Sequence, residues 1–353
     1  MAAQVRGCNF GGPWLTAGML KSPESRILVT GGAGFIGSAV VWELNRRGCE
    51  NIVVSDRLCT DEKWRNLVPL KFHDYIDGGD LERRVRAEPE ALGRFDVIFH
   101  LGACSATTEK DADYLMRNNY EFTRILAEWA LANGTRFVYA SSAATYGDGS
   151  LGMDDTMTDL HRLRPLNMYG YSKHLFDLHA QSTGILRRVV GMKYFNVYGP
   201  NEDHKADMRS VVHKAYGQIL QTGKVQLFQS DRPEYKDGEQ MRDFLYVKDA
   251  VKMTLHLAGE PLAGGLYNLG SGQAHTWVQL VKAIFAALGR QPVIDFVPMP
   301  EHLKAKYQYY TCADITKLRK TGYEEPLYTL EDAVRDYVQG YLTGDRRLGD
   351  EAV

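Results

Sequence analysis

Residues 27–37 read ILVTGGAGFIG, a short apolar run that passes directly into a turn with glycines at positions 31, 34 and 37. The apolar start predicts a buried strand, and Phe35–Arg47 has the length and apolar periodicity of a helix. In such a unit Gly31 permits the tight turn, Gly34 admits a pyrophosphate, and Gly37 lets the helix pack closely on the strand. The stretch therefore predicts a Rossmann-type βα unit that binds a dinucleotide at the helix N-terminus.

The alternation of strand-like and helix-like segments continues down the chain. Further buried strands are expected at Ile52–Val54, Val97–Phe99, Phe137–Tyr139 and Val189–Phe195, and further helices at Asp111–Asn133 and Tyr169–Ser182. Repeated βα units predict an α/β fold built on a doubly wound parallel sheet with helices on both faces. Beyond residue 195 the alternation weakens, and loops rich in Asp, Gly and Pro predict a smaller mixed α/β substrate-binding lobe.

The two domains are expected to interleave along the chain. Residues 26–195 plus about 242–269 would form the Rossmann domain, with Phe244–Val247 and Leu266–Leu269 as returning elements. Residues 196–241 plus about 270–345 would form the substrate-binding lobe. Residues 1–25 are expected to be a disordered tail or an over-extended start, with Met19 as an alternative initiator.

The composition narrows the classes of partner. The 353 residues carry a net charge of -2, which provides no long-range attraction for nucleic acid or an anionic membrane. No apolar run approaches the roughly 20 residues of a membrane-spanning helix. The cysteines are odd in number and form no CxxC pair, which indicates neither a disulfide framework nor a metal site and favours a cytoplasmic location; they are Cys8, Cys49, Cys59, Cys104 and Cys312.

A candidate chemical centre lies in the second half of the predicted sheet. The strand at residues 137–140 runs into Ser141 and Ser142, and YGYSK follows at residues 169–173. Tyr169 and Lys173 stand at i and i+4 on one helical face, so the ammonium would favour the phenolate and lower the pKa of Tyr169. Tyr169 would then shuttle a proton, with Ser142 orienting the same substrate oxygen.

The residues after the second strand bear on the choice of dinucleotide. Asp56 ends that strand about twenty residues beyond the glycine turn, where a carboxylate accepts hydrogen bonds from the ribose of NAD. Arg57 and Lys63 follow, and both could neutralise the 2′-phosphate of NADP. The cations favour NADP as the cofactor and leave NAD open.

Several motifs carry a resemblance to a known family. TGGAGFIG, SSAATYG and YGYSK resemble the extended short-chain dehydrogenase/reductase family from about Arg26 to the C-terminal helix. Within it, LGACSATTE (101–109), LNMYGYSK (166–173), YFNVYGPNEDHK (194–205) and RDFLYV (242–247) resemble the branch of ADP-heptose 6-epimerases. The resemblance implies epimerisation of a small-molecule nucleotide-sugar at C6″ by transient oxidation with NADP. It also implies a homo-oligomer such as a pentamer, and a product used in the lipopolysaccharide core.

The same resemblance implies a role for individual residues. Lys205 would be a second base opposite Tyr169. The expected cofactor contacts, besides the three glycines, are Phe35, Ile36, Asp56, Arg57, Lys63, Leu101, Gly102, Ala103, Cys104, Ser105, Asn118, Lys173, Val197 and Lys205. The expected substrate contacts are Ser142, Asn196, Asp207, His213 or Lys214, Phe228, Gln229, Ser230, Asp231, Arg242 and Tyr307.

Some substrate positions carry alternatives or departures. Arg242 would clamp the diphosphate, and its alternative is an ion pair with Asp243 or Asp249. The stretch 230–241 is longer and more polar than the resemblance leads us to expect. Asp207 stands where a small hydroxyl residue is expected.

Three other functions would use some of the same residues. A sugar-nucleotide dehydratase needs an Asp-Glu pair after the strand-end hydroxyl, and here Ala143 and Ala144 occupy those places, so that function is disfavoured. A UDP-hexose 4-epimerase would share Ser142, Tyr169 and Lys173 without requiring Lys205. A non-catalytic NADP-sensing protein would not need the Tyr–Lys pair at all.

Overall fold

The structure is a computed structural model that describes residues 24–304 and 307–350. Apart from its last two residues, the predicted tail at 1–25, together with Met19, lies outside the described residues. Within them, no helix is long and apolar enough to cross a membrane.

A seven-stranded parallel sheet forms the centre of the part of the chain that the structure describes. Its strands are β1 (Ile27–Thr30), β2 (Ile52–Asp56), β3 (Asp74–Asp77), β4 (Val97–His100), β5 (Arg136–Ser142), β6 (Val189–Tyr194) and β10 (Gly265–Leu269). They lie in the order β3-β2-β1-β4-β5-β6-β10, and each neighbouring pair is parallel. This confirms the Rossmann-type doubly wound fold and every strand predicted up to residue 195.

The helices that the structure describes cover both faces of the sheet. They are α1 (Phe35–Arg46), α2 (Gly78–Ala87), α3 (Ala112–Leu115), α4 (Phe122–Ala132), α5 (Met168–Ser182), α6 (Val211–Thr222), α7 (Val247–Gly259), α8 (Trp277–Ala287), α9 (Glu301–Lys304), α10 (Thr316–Arg319) and α11 (Leu330–Gly340). Along β1 the side chains of Ile27 and Val29 belong to one hydrophobic cluster and that of Leu28 to another. Because strand side chains alternate, one continuous apolar run serves both helical layers.

The helix predicted over Asp111–Asn133 is present but interrupted. Between α3 and α4, residues Met116–Glu121 form a π-helical segment. Such an extra-wide turn shifts the register of the following residues and is frequent at functional sites. Here it carries Asn118 and Asn119 toward the end of β4.

Smaller sheets lie beyond β6. The strands are β7 (Asn196–Tyr198), β8 (Val225–Phe228), β9 (Met241–Tyr246), β11 (Ala274–Thr276) and β12 (Ile294–Val297). Strand β9 pairs with β7 and β11, and β8 pairs with β12. Strand β9 does not join the seven-stranded sheet, because β10 occupies the position beside β6 and β9 pairs instead with β7. Leu266–Leu269 lies in β10, and the two-domain boundaries, with both returning elements, stay a prediction.

The order of strands creates a crevice at one edge of the sheet. From β1 the chain continues to β2 on one side, whereas β4 and β5 extend the sheet on the other side. Loops leaving the carboxyl ends of β1 and β4 therefore diverge, and ligands of open α/β sheets bind in the gap between them.

We expect Gly37→Ala to unfold the turn on which this crevice depends. A Cβ at Gly37 would lie 2.0 Å from the carbonyl oxygen of Gly31, which is backbone and cannot move aside. The variant should lose about 3 kcal/mol of unfolding free energy, measured by urea denaturation. Gly217→Ala is the matched control, because Gly217 lies in α6 with nothing within 4 Å of its added Cβ. That control should gain up to about 1 kcal/mol, and equal stability of the two variants would contradict the account.

Candidate active site

The glycine turn leaves a space beside the backbone that any side chain at these positions would fill. Gly31 has a φ of 66°, and an added Cβ there would lie 2.6 Å from the nitrogen of Gly102 at the end of β4. Gly34 is the N-cap of α1 and no side chain caps the helix, so its first N–H groups are available to an anion. The turn opens into a cleft of about 650 Å³, a size suited to a dinucleotide.

Most of the predicted cofactor residues line this cleft. They are Gly31, Gly34, Phe35, Ile36, Gly37, Asp56, Lys63, Leu101, Gly102, Ala103, Cys104, Ser105, Lys173, Val197 and Lys205. Arg57 and Asn118 are not among the lining residues and lie beside the cleft, where the guanidinium is 3.4 Å from the amide oxygen of Asn118.

The acidic residue at the end of β2 is already engaged. The carboxylate of Asp56 accepts a hydrogen bond from the N–H of Ala33 at 3.0 Å, and its other oxygen lies 3.1 Å from the ammonium of Lys63. Arg57 is exposed and forms an ion pair with Glu82 at 3.2 Å. A surface pair of this kind is weak, so an incoming phosphate can replace the carboxylate as the partner of Arg57.

Tyr169, Lys173 and Ser142 meet at one wall of the cleft. Tyr169 lies in the first turn of α5, which Asn167 caps by accepting the N–H of Gly170 at 2.8 Å. Ser142 ends β5 and is hydrogen-bonded to the Tyr169 side chain. All three predicted catalytic side chains of this wall line the cleft, as Lys173 does from the next turn of the helix.

The electrostatics of this wall differ from the expectation. Burial raises the pKa of Tyr169, and the hydrogen bond with Ser142 only partly opposes this shift. Burial also lowers the pKa of Lys173 to about 8, against the effect of Asp177. The prediction that Lys173 lowers the pKa of Tyr169 is thus wrong, because burial is the largest cause of the shift and raises that pKa.

Lys205 reaches the same cleft from a different element. It lies in the 3-10 segment Asp203–Met208, and its ammonium is 5.1 Å from the centre of the Phe35 ring in the glycine turn. Burial lowers the pKa of Lys205, while Glu202 acts in the opposite direction. A lysine with this shift can donate and accept a proton more readily than an exposed one.

Two buried residues that the sequence did not single out hold the Lys205 segment in place. Glu202 is fully buried and accepts hydrogen bonds from the Ser210 hydroxyl at 2.6 Å and the Tyr337 hydroxyl at 3.0 Å. Asn66 donates to the carbonyl of Ala33 at 3.0 Å and to that of Asn201 at 3.1 Å. Asn66 therefore connects the nucleotide turn to the Lys205 segment. These hydrogen bonds join residues far apart in the chain, so no local sequence motif predicts them.

Asn119, rather than Asn118, fixes the loop after β4. Its side chain accepts the N–H of Cys104 and donates to the carbonyl of Cys104, both at 2.9 Å, and also donates to Ser172 at 3.1 Å. The π-helical segment places the amide for these bonds. Cys104 is thereby held as a part of the cleft wall.

Arg242 has the surroundings of an anion-binding residue. Its guanidinium is buried, lies 5.1 Å from the Tyr307 ring centre and 5.7 Å from that of Trp277, and donates to the carbonyl of Met241 at 2.8 Å. Trp277 lines the cleft. Burial lowers the pKa of Arg242, yet a guanidinium stays charged at neutral pH.

The alternative ion pairs of Arg242 are wrong. Asp243 instead accepts from the N–H groups of Ser271 and Ala313, at 2.6 and 2.9 Å. Asp249 accepts from the N–H of Tyr328 at 2.9 Å. Both carboxylates therefore stabilise loops, and the guanidinium remains available for an anionic ligand.

Two of the predicted substrate residues line the cleft. Ser142 and Asn196 line it, whereas Asp207, His213, Lys214, Phe228, Gln229, Ser230, Asp231, Arg242 and Tyr307 are not lining residues. His213 is held by Asp203 at 2.9 Å, and Lys214 and Asp207 are exposed. The stretch 230–241 folds back on itself, since Ser230 donates its N–H to Asp237 at 2.7 Å.

Comparisons with known proteins agree with this geometry. Residues 27–270 match the NAD dependent epimerase/dehydratase family. The chain is 53% identical over 315 residues to an ADP-L-glycero-D-manno-heptose-6-epimerase of Nitratidesulfovibrio vulgaris, which covers 89% of this chain and 97% of the relative. The crystal structure of the Helicobacter pylori ADP-L-glycero-D-manno-heptose-6-epimerase aligns with a TM-score of 0.74 at 29% identity, over 91% and 97% of the two chains. The UDP-glucose 4-epimerase of Thermotoga maritima with UDP-glucose aligns with a TM-score of 0.74 at 26% identity, over 91% and 100%.

We expect the backbone next to Lys205 to be strained. Ala206 has a φ of 45° and a ψ of -123°, a region that glycine occupies far more readily than alanine. Ala206→Gly should therefore raise the unfolding free energy by about 1 kcal/mol, measured by urea denaturation. Ala206→Val is the companion variant, and it should lower that free energy because the side chain is exposed and gains no packing. A loss of stability in the glycine variant would contradict the strain.

Proposed function

The chain belongs to the NAD dependent epimerase/dehydratase family, and we propose that it inverts C6″ of an ADP-linked heptose through a transient ketone. Epimerisation of an ADP-heptose is the activity that the curated relatives support. One observation supports the proposed mechanism above the others. Tyr169 and Lys205, two side chains that can carry a proton, enter one cleft from different elements.

The dinucleotide would lie along the glycine turn. The N–H groups at the start of α1 and the space beside Gly31 and Gly37 fit its pyrophosphate, because any side chain would fill that space. A dinucleotide held there would supply the acceptor and donor of the hydride for the carbinol carbon.

The chain's own residues would move the protons. Ser142 holds the substrate oxygen, and Tyr169 accepts the hydroxyl proton as the carbinol is oxidised. The ammonium of Lys173, one helical turn away, would act against the effect of burial and favour the phenolate as the proton is transferred. The wall of Tyr169, Ser142 and Lys173 therefore serves one orientation of the sugar.

Inversion requires a second proton carrier. Returning the hydride to the same face of the ketone would regenerate the starting sugar, so the ketone must first present its other face. Its oxygen then points away from Tyr169 and needs another acid. Lys205, buried enough to lower its pKa and held by the neighbouring Glu202, would donate the proton there.

The charged end of the substrate would meet Arg242, which packs against Trp277 of the cleft lining. Arg242, whose guanidinium lies near the aromatic rings of Trp277 and Tyr307, is a buried cation whose predicted acidic partners are bound elsewhere. A diphosphate would supply the missing negative charge and bidentate acceptors. The sugar between this diphosphate and the nicotinamide would then lie within reach of both bases.

The rival functions are less well supported. A dehydratase lacks its acid and base here, since Ala143 and Ala144 follow Ser142. A UDP-hexose 4-epimerase would leave Lys205 without a role. A dinucleotide sensor would not require Tyr169 and Lys173 to line the cleft together with Ser142.

We propose NADP as the dinucleotide. The carboxylate of Asp56 is engaged by Ala33 and Lys63, while the exposed ion pair of Arg57 with Glu82 can be exchanged for a phosphate. Lys63 lies in the cleft wall and adds a second positive charge.

Arg57→Ala should weaken NADP binding about tenfold or more and leave NAD binding nearly unchanged, because only NADP carries the 2′-phosphate. The measurement is a fluorescence titration of the cofactor-free protein with each dinucleotide. Arg83→Ala is the control, since it removes an exposed cation of α2 that is paired with Glu88. A tenfold preference of the unmodified protein for NAD would reject the proposal of NADP.

The reaction itself is tested by a product assay. The protein is incubated with ADP-D-glycero-β-D-manno-heptose, and the configuration at C6″ is followed by NMR. Conversion to the L-glycero epimer is expected, with UDP-glucose unchanged under the same conditions. Conversion of UDP-glucose alone would favour the 4-epimerase, and conversion of neither sugar with the dinucleotide bound would favour the sensor.

Lys205→Met is expected to lower turnover by about 10²-fold or more with the dinucleotide still bound, because one face of the ketone loses its proton donor. Lys224→Met is the matched control, since Lys224 is exposed and pairs with Asp295. It should turn over normally. Near-normal turnover in Lys205→Met would reject the two-base scheme while leaving the family intact.

A further inference from the structure

A second, fully buried ion pair lies behind the catalytic wall. Asp177 and Lys193 are 3.3 Å apart, and their exposed fractions are 0% and 1%. We propose that this pair consists of positioning residues, which fix the strand end that carries Ser142 and keep Lys173 charged beside Tyr169. The inference rests on the proposed function of that wall.

Asp177 is placed in line with the catalytic residues by the helix itself. Tyr169, Lys173 and Asp177 stand at i, i+4 and i+8 of α5, so they share one face and follow each other turn by turn. The phenol faces the cleft, the ammonium follows, and the carboxylate lies deepest. A negative charge one turn behind Lys173 therefore acts on its ammonium through protein rather than through water.

The carboxylate also holds β5. Asp177 accepts hydrogen bonds from the Tyr139 hydroxyl at 2.7 Å and the Ser141 hydroxyl at 2.8 Å. Ser141 directly precedes Ser142, so the same bond that satisfies the carboxylate fixes the backbone from which Ser142 projects. Helix α5 and strand β5 are thereby locked in register at the point where their catalytic side chains meet.

Lys193 completes the pair from β6. Its ammonium lies 4.5 Å from the ring centre of Tyr146 and also donates to the hydroxyl of Thr145. Thr145 and Tyr146 belong to the turn that follows Ser142. A buried charge on either side of the pair would be costly without the other, so the two residues depend on each other.

Several titratable groups act on this cluster. Burial lowers the pKa of Lys173, and Asp177 and Cys104 partly oppose this shift. The charge of Lys173 in turn helps to lower the pKa of His100 on β4. Burial lowers the pKa of His100 to about 3, so it stays neutral. The groups that face Asp177 are Lys173, His174, Lys193, Tyr139 and Tyr146. Among them Lys193 competes with Lys173 for the negative charge.

The competition gives the pair a signature that a purely structural role lacks. Removing the charge of Asp177 leaves Lys173 without its nearby anion, so Lys173 loses its proton at a lower pH. Removing the charge of Lys193 leaves the anion to Lys173 alone, so Lys173 keeps its proton to a higher pH. Two variants of one ion pair should therefore move the alkaline limb of the pH–rate profile in opposite directions.

The test compares pH profiles of ADP-heptose epimerisation for the full protein carrying its dinucleotide. In Asp177→Asn the alkaline limb of kcat should move down by about one pH unit, and in Lys193→Met it should move up. In Asp177→Asn kcat should fall while KM stays within about twofold, because Arg242, the proposed binding residue for the diphosphate, is unchanged. Lys193→Arg keeps the charge and should keep the position of the limb.

Asp249→Asn is the matched control, because it makes the same carboxylate-to-amide change at another buried residue. Asp249 accepts a hydrogen bond from the N–H of Tyr328 and does not contact the catalytic wall. It should lose stability without moving the limb. Folding of each variant is checked by circular dichroism and by retention of the dinucleotide. If Lys193→Met does not fold, the other two variants still test the positioning role. The alkaline limb should lie at a lower pH in Asp177→Asn and at its original pH in Lys193→Arg.

The outcomes separate the two proposals. A folded Asp177→Asn protein with an unmoved limb, or limbs that move the same way in Asp177→Asn and Lys193→Met, would overturn the positioning role. Absence of ADP-heptose conversion by the unmodified protein at every pH would instead overturn the proposed function.

Discussion

The approach of three stretches of backbone at the end of β1 is the constraint on which the rest depends. Gly31 lies against Gly102 at the end of β4, and Gly37 lies against the carbonyl of Gly31, closer than any side chain allows. This contact sets the distance between α1, β1 and β4. The crevice, the helix N-terminus and the first wall of the cleft follow from it, because each is anchored to one of those elements.

The proposed site also depends on three buried positively charged side chains. Lys173, Lys205 and Arg242 all have their pKa lowered by desolvation, yet the protein as a whole is slightly acidic. Attraction for an anionic ligand is therefore local and short-ranged rather than a property of the surface. Cations held in a poorly solvated cleft gain more from a diphosphate than exposed cations would, and two of them are also poised to exchange protons.

The supporting contacts explain how segments far apart in the chain can present one site. Asn66 links the nucleotide turn to the segment before Lys205, and Asn119 links the loop after β4 to α5. Both are buried amides: Asn66 donates to backbone carbonyls, and Asn119 bonds the backbone of Cys104 and the hydroxyl of Ser172. Such bonds are costly to leave unmade, so they hold the catalytic groups in register more firmly than the loops alone could.

The sequence by itself determined the sheet, the glycine turn and the Tyr169–Lys173 pair, since each depends on residues close in the chain whose spacing matches a strand, a turn or a helix face. It did not determine that β9 leaves the Rossmann sheet, that the pKa of Tyr169 is raised, or that Arg242 has no acidic partner in Asp243 or Asp249. Only the tertiary structure decided these points. Sheet partners, desolvation and hydrogen bonds of buried groups depend on residues far apart in the chain, and no local pattern encodes their distances.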